Sequence, residues 1–268
     1  MKDWIFFGHS HLAALQRAWL AMSQKTEFSG HRAHFFIIDH KNIYEYFSIK
    51  DGKAELSEAL IKKINHILQN APDSEMILSL AGNDHSIVGL ANAEHEYRVV
   101  NFDSETASDQ VAQKKSAIQM LSHDLIKAVF EERLVGVKEL IPQLIENFLV
   151  KPFLLESPPP LSNENRIKSY PGVFAEVLEQ FGVNHSQNRL TLWQIQNQLM
   201  QQYADDNQII FINNPEEIFD TVGFISEDFA GNDPTHGNDA YGVAVLNNLI
   251  ALTAKESVSS RESGTGHD

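Results

Sequence analysis

Apolar positions along the chain alternate between short continuous runs and helical spacings. Trp4-Ile5-Phe6-Phe7 is an unbroken apolar run stopped by Gly8, the pattern of a strand buried on both faces. Leu12, Leu15, Trp19 and Met22 follow at helical spacing, with Ser10 at a cap or first-turn position. Ala33 to Asp39 predicts a second strand, and Asp51-Gly52 a turn. Leu60, Ile64, Ile67 and Leu68 predict a second helix ended by Pro72. Met76 to Leu80 predicts a third strand that runs into Ala81-Gly82-Asn83-Asp84. Residues 92–109 are polar and irregular and read as a surface excursion. Ile118, Leu121, Leu125 and Val129 predict a helix interrupted at Gly136, with a further helical stretch to about Leu149. Pro152 to Leu155 is the fourth predicted strand, stopped by Ser157-Pro158-Pro159-Pro160. A helical segment spans about Gly172 to Tyr203, and Gln208 to Ile212 is the fifth strand. A loop through His236 precedes a last helix carrying Val243, Leu246 and Ile250. Residues 256–268 are rich in Ser, Glu and Gly and read as a disordered tail.

Five short apolar strands separated by helices predict an α/β fold. Its expected form is a three-layer αβα sandwich around a central, mainly parallel five-stranded sheet, flavodoxin-like in type. Nothing divides residues 1–255, so one domain is expected. Ligands of such sheets collect outside the carboxyl ends of the strands. Ser10 follows strand one, Asn83 follows strand three and His236 follows strand five, so all three are expected on one rim.

Composition narrows the chemistry. The 268 residues contain no cysteine, which removes disulfides, thiolate nucleophiles and cysteine-ligated metals. There are 21 Lys+Arg against 36 Asp+Glu, a net charge of −15, so counterion-releasing contacts to nucleic acid are not expected. No stretch approaches the ~20 apolar residues of a membrane helix. The first apolar run is too short for a signal peptide. A cytoplasmic protein without nucleic-acid or membrane partners is expected, and its oligomeric state is not encoded in any pattern seen.

Three blocks resemble those of the SGNH (GDSL-like) hydrolases. Gly8-His9-Ser10 resembles that family's Gly-Asp-Ser block, Ala81-Gly82-Asn83-Asp84 its Gly-x-Asn-Asp block, and Asp233-Pro234-Thr235-His236 its Asp-x-x-His block. Their order and strand context agree from Ser10 to His236. The resemblance implies the SGNH fold and a catalytic triad of Ser10, His236 and Asp233. It also implies an oxyanion hole built from the Ser10 N–H and the Asn83 amide. A serine hydroxyl needs such a base to become a nucleophile, and the tetrahedral intermediate needs such donors. His9, His11 and Asp84 are candidates for lining the substrate pocket. The implied function is a serine esterase that forms an acyl-enzyme on Ser10. Its expected substrate is a small-molecule or carbohydrate ester of a small acyl group such as O-acetyl. Acyl transfer would use the same residues, and no metal or other cofactor is required.

Three departures stand beside the resemblance. His9 replaces the aspartate before the serine, Ala81 replaces a glycine, and no glycine follows strand two in Asp39-His40-Lys41-Asn42. The last leaves one oxyanion donor of the family unaccounted for. Each residue also has a plainer role. Ser10 fits a helix N-cap, Asn83-Asp84 and Asp233-Pro234 fit turns, and His236 fits an ordinary surface histidine. Two other functions compete. Gly8-His9-Ser10-His11 has the Gly-His-x-His form used for metal ligands by metal-dependent phosphoesterases, but no early Asp-x-His block precedes it. A non-catalytic relative that binds a glycan or acyl ligand would account for the altered blocks, yet pure binding needs no complete triad. A Gly-x-Ser-x-Gly elbow is excluded, because Leu12 stands where its second glycine belongs.

Overall fold

Strand β1 (Lys2–Gly8) shows why the apolar runs are continuous. Successive side chains of a strand point to opposite faces, and here both faces are covered. Trp4 and Phe6 enter one core while Ile5 and Phe7 enter the other, all fully buried. The computed structural model describes residues 2–23, 28, 30–50, 53–100 and 118–262.

Helix α1 (Leu12–Met22) leads to β2 (His31–Ile37), and a short helix α2 (Ile43–Tyr46) leads to the antiparallel hairpin of β3 (Phe47–Lys50) and β4 (Lys53–Leu56). Helix α3 (Glu58–Asn70) follows, capped by Ser57, whose Oγ accepts from the Leu60 N–H. Strand β5 (Glu75–Ser79) then precedes α4 (Asp84–Gly89) and β6 (Tyr97–Val100). Beyond residues 101–117, β7 (Gln119–Ser122), α5 (His123–Arg133) and α6 (Val135–Phe148) lead to β8 (Phe153–Leu155). The remaining elements are α7 (Glu164–Ser169), α8 (Ala175–Phe181), the long α9 (Ser186–Asp206), β9 (Ile210–Ile212) and α10 (Asp239–Glu262).

Strands β2-β1-β5-β8-β9 form one sheet in that order, every pair parallel. Counting these strands along the chain, the order is 2-1-3-4-5, the flavodoxin-like winding. Helices α1 and α10 cover one face through Leu12, Leu15, Trp19, Tyr241, Val245 and Leu249. The other face is covered by α3, α5, α6 and α9, through Leu60, Ile64, Phe130, Ile141, Leu192 and Leu199 among others. The αβα layering and the parallel five-stranded sheet expected from the sequence are therefore present. Among the described residues no helix is long and apolar enough to cross a membrane.

Local details depart from the sequence-based expectation. Gln119 to Ser122 is not helical. It forms β7, paired in parallel with β6, and Ser122 caps the helix that begins at His123. The break between α5 and α6 falls at Leu134, not at Gly136. The segment from Gly172 to Tyr203 is not one helix. It is a 3₁₀ turn, α8 and α9, divided where Gly182 takes a positive φ of 75°. Tyr97–Val100 of the expected irregular excursion form β6, and residues 256–262 of the expected tail continue α10, while residues 101–109 of the excursion, 263–268 of the tail and the Asp51-Gly52 turn lie outside the described residues.

Candidate active site

The switch point of the winding lies between β1 and β5, and the candidate site is built there. The His9 N–H donates to the Ser79 carbonyl at 3.0 Å, closing the end of β1 on the end of β5. This approach requires Gly8, because a Cβ there would lie 2.2 Å from the Ser79 oxygen. The Leu12 N–H then donates to the His9 carbonyl, and the Ala13 N–H to the Ser10 carbonyl, starting α1. Ser10 thus sits in the tight turn at the positive end of that helix. Its hydroxyl is not used as a cap, and the residue at the cap position, His11, makes no side-chain capping bond.

The partner of Ser10 comes from 226 positions away. Ser10 Oγ and His236 Nε2 are 2.7 Å apart. On the far side of the ring, His236 Nδ1 lies 2.8 Å from Asp233 Oδ1 and 2.9 Å from Oδ2. Oδ1 also accepts from the backbone N–H groups of Thr235 and His236, at 2.8 and 3.0 Å, and from the Thr235 hydroxyl at 3.0 Å. Burial alone would raise the Asp233 pKa. The bonds from His236 and Thr235 outweigh it and hold the carboxyl well below the ordinary range. An ionised Asp233 favours the tautomer with the proton on Nδ1, which leaves Nε2 free to accept from Ser10. The loop that carries His236 is tied to α1 by the packing of α10, where Gly242 brings the helices so close that a Cβ would lie 2.3 Å from the Ala14 carbonyl.

Asn83 stands at the start of α4, after β5. Its Nδ2 points at the Thr235 hydroxyl across 3.4 Å, a long contact for a hydrogen bond. Thr235 therefore links Asn83 to Asp233. The Asn83 loop is held from behind by Gln196 of α9, whose amide donates to the Ala81 carbonyl and accepts from the His85 N–H, both at 2.7 Å. In the turn after β2, the Asp39 N–H donates to Asn42 Oδ1, and the Lys41 and Asn42 N–H groups donate to Asp39 Oδ1. Those three donors are spent within the turn.

The other sequence candidates have distinct positions. His9 is partly buried, and burial lowers its pKa although Asp84 opposes the shift. Asp84 is ion-paired with Arg133 at 2.7 Å. His11 lies under the site, only 4% exposed, with its ring centroid 4.9 Å from that of His236. Burial, and then repulsion from the neighbouring histidines, lowers its pKa to about 3, while the nearby Asn83 side chain opposes the shift. His11 is thus a neutral ring packed behind Asn83 and His236, and it lines neither of the two cavities described next. Thr235 and Gln196 were not singled out in the sequence. Thr235 lies inside the Asp-Pro-Thr-His block, whereas nothing marks Gln196 within a 21-residue helix.

One cavity opens at the serine and another at its neighbour His9. One, of about 810 Å³, is lined by Ser10 and His236 with Arg17, Asn232, Asn238 and Asp239. The other, of about 550 Å³, begins at His9, Leu80 and Asp84 and extends beneath the β3–β4 hairpin. Among the described residues no three His, Asp or Glu side chains gather as metal ligands.

No family profile matches the sequence, and no curated protein matches it. Solved structures do resemble it. A protein provisionally named a platelet activating factor, from Streptococcus pneumonia, superposes with a TM-score of 0.50 at 13% identity, over 93% of this chain and 82% of that one. A GDSL-like lipase from Bacteroides thetaiotaomicron gives 0.46 at 12% identity, over 96% and 88%. An extracellular lipase from Streptomyces rimosus gives 0.46 at 12%, over 94% and 99%. At such identity the likeness concerns the fold alone, the parallel αβα sheet of order 2-1-3-4-5.

Proposed function

We propose that the protein is a serine esterase of SGNH type, with Ser10 as nucleophile, His236 as general base and acid, and Asp233 as the carboxylate that orients it. The observation that carries this reading is the continuous path from Ser10 Oγ through both nitrogens of His236 to Asp233, with steps of 2.7 and 2.8 Å. A helix-capping serine or a surface histidine has no need of such a path.

The chemistry follows from the geometry. Ser10 Oγ attacks the ester carbonyl carbon as its proton passes to His236 Nε2. The imidazolium is stabilised by ionised Asp233, which stays charged. The negative charge moves to the carbonyl oxygen, where the Ser10 N–H and the Asn83 Nδ2 are the proposed donors. To reach it, the Asn83 amide gives up only its long contact with Thr235. On collapse the C–O bond to the alcohol breaks, and His236 returns the proton to the leaving oxygen. Water, deprotonated by His236, then releases the acid; an acceptor alcohol in its place makes the reaction an acyl transfer. The alcohol leaves on the His236 side, into the polar 810 Å³ cavity, which suits a hydroxyl-rich alcohol such as a sugar. The acyl group faces the other way, where cavity size bears on the expectation of a small one.

A fluorophosphonate probe, applied with and without a metal chelator, tests the reading. Labelling that requires Ser10 and His236 and ignores the chelator is the expected result. Absence of labelling, together with a phosphatase activity abolished by the chelator, would refute it in favour of metal-dependent phosphoester hydrolysis. Absence of labelling and of both activities would favour a binding protein.

A further inference from the structure

The 550 Å³ cavity beside His9 has a mainly apolar lining. Ile38, Ile43, Phe47, Leu80, Val137 and Leu140 line it, drawn from the end of β2, from α2, from the hairpin, from the end of β5 and from α6. Exposed Glu139 and half-buried Gln143 also line it, while the polar wall beside His9 is electrically quiet. Asp84 and Arg133 are paired with each other at 2.7 Å, and His9 is held toward its neutral form by burial. At the rim, Ile43, Tyr44 and Ile49 are 41, 86 and 69% exposed, although large apolar side chains favour burial.

Reaction geometry says what such a cavity would face. His236 must reach the leaving oxygen to protonate it, so the alcohol occupies the cavity that His236 lines. The acyl substituent lies on the other side of the carbonyl carbon, directed from Ser10 past its neighbour His9. We propose that this cavity binds the acyl chain and makes the enzyme selective for medium-chain, unbranched acyl esters of polar alcohols over acetyl esters. The proposal rests on the serine-esterase reading and replaces its small acyl group with a longer one. Chain atoms entering the cavity leave water for an apolar wall, and each methylene so buried is worth about 0.8 kcal/mol, or roughly fourfold in kcat/KM.

The test is a series of p-nitrophenyl esters, from acetate through butyrate and octanoate to dodecanoate, assayed on the whole chain and on two variants. Gly136 lines the cavity, and a Cβ added there meets nothing within 4 Å, so Gly136→Phe can place a ring in the cavity without a backbone clash. Leu140→Ala enlarges it. The expected result is a kcat/KM that rises about fourfold per methylene from acetate to octanoate. Gly136→Phe should abolish that rise, and Leu140→Ala should move the optimum toward dodecanoate. Ser10-dependent hydrolysis that is flat with chain length overturns the proposal and leaves the esterase standing. So does a rise that Gly136→Phe does not touch, because the chain then binds elsewhere. No Ser10-dependent hydrolysis of any ester overturns both.

Discussion

His11 offers a measurable consequence of being buried beneath the site. Both of its ring nitrogens lack a geometric hydrogen-bond partner, and its pKa is lowered to about 3, against about 6.5 for an exposed imidazole. The unfolded chain therefore binds this proton more readily than the folded one. Stability from this group is complete above pH ~6.5 and is lost as pH falls from there toward 3. Linkage gives a loss of ~2 kcal/mol from His11 between about pH 8 and pH 5. His85, 3% exposed and lowered to about 4 by burial, adds a similar ~2 kcal/mol over the same interval. The perturbation is His11→Phe, which keeps a planar ring and removes the titration. Urea unfolding of both proteins at the two pH values gives a difference of differences, in which packing changes and all other titrating groups cancel. The wild type should lose ~2 kcal/mol more than the variant, or ~0.7 M in midpoint for a slope of about 3 kcal/mol per molar urea. Equal losses would refute the claim that His11 is held neutral by burial. The neutrality matters to the proposed chemistry, because a charged His11 would oppose an imidazolium on the adjacent His236.

Three further outcomes are expected. Asp233→Asn should lower kcat on a p-nitrophenyl ester by ~10⁴ with KM little changed, since the tautomer is lost while the loop persists; a loss below tenfold would remove Asp233 from its role. Asn83→Ala should cost ~10²–10³, again in kcat, and an unchanged rate would exclude its amide from the oxyanion hole. Gly8→Ala forces a methyl to within 2.2 Å of the Ser79 oxygen, so β1 and β5 must separate at a cost of about 3 kcal/mol or more. Thermal melting that matched the wild type would contradict this close approach.

The sheet was legible because strands buried on both faces carry no polar alternation. Trp4 to Phe7 and Met76 to Leu80 could hardly be read otherwise. Segments whose conformation depends on a distant partner were not legible. Ile118, Leu121, Leu125 and Val129 keep helical spacing, yet Gln119 to Ser122 pair with Tyr97 to Val100, and a spacing rule cannot see that ladder. The expected Asp51-Gly52 turn lies outside the described residues, whereas β3 and β4 on either side of it and the cavity beneath them need Val137 and Leu140 from a later helix. Ser10, Asn83, Asp233 and His236 were singled out because each lies in a short block on a connection that follows a strand, and the structure brings Ser10, His236 and Asp233 into contact. Gln196 was not, since its task of holding the Ala81 and His85 backbone is defined by space alone. His11 was expected near the pocket and lies instead behind it, a difference of depth that linear order does not encode.

The interlock of α1 with α10 also has a consequence in time. Synthesis delivers Ser10 first, and His236 follows 226 residues later. Between those moments the emerging chain carries a serine with no base, at the tip of a helix whose covering neighbour has not been made. The close seat of Gly242 against Ala14 completes that face of the sheet and brings His236 within reach of Ser10. On the serine-esterase reading, folding thus acts as the arming step, and a chain halted before α10 would expose its apolar α1 face to quality control while carrying an inert serine.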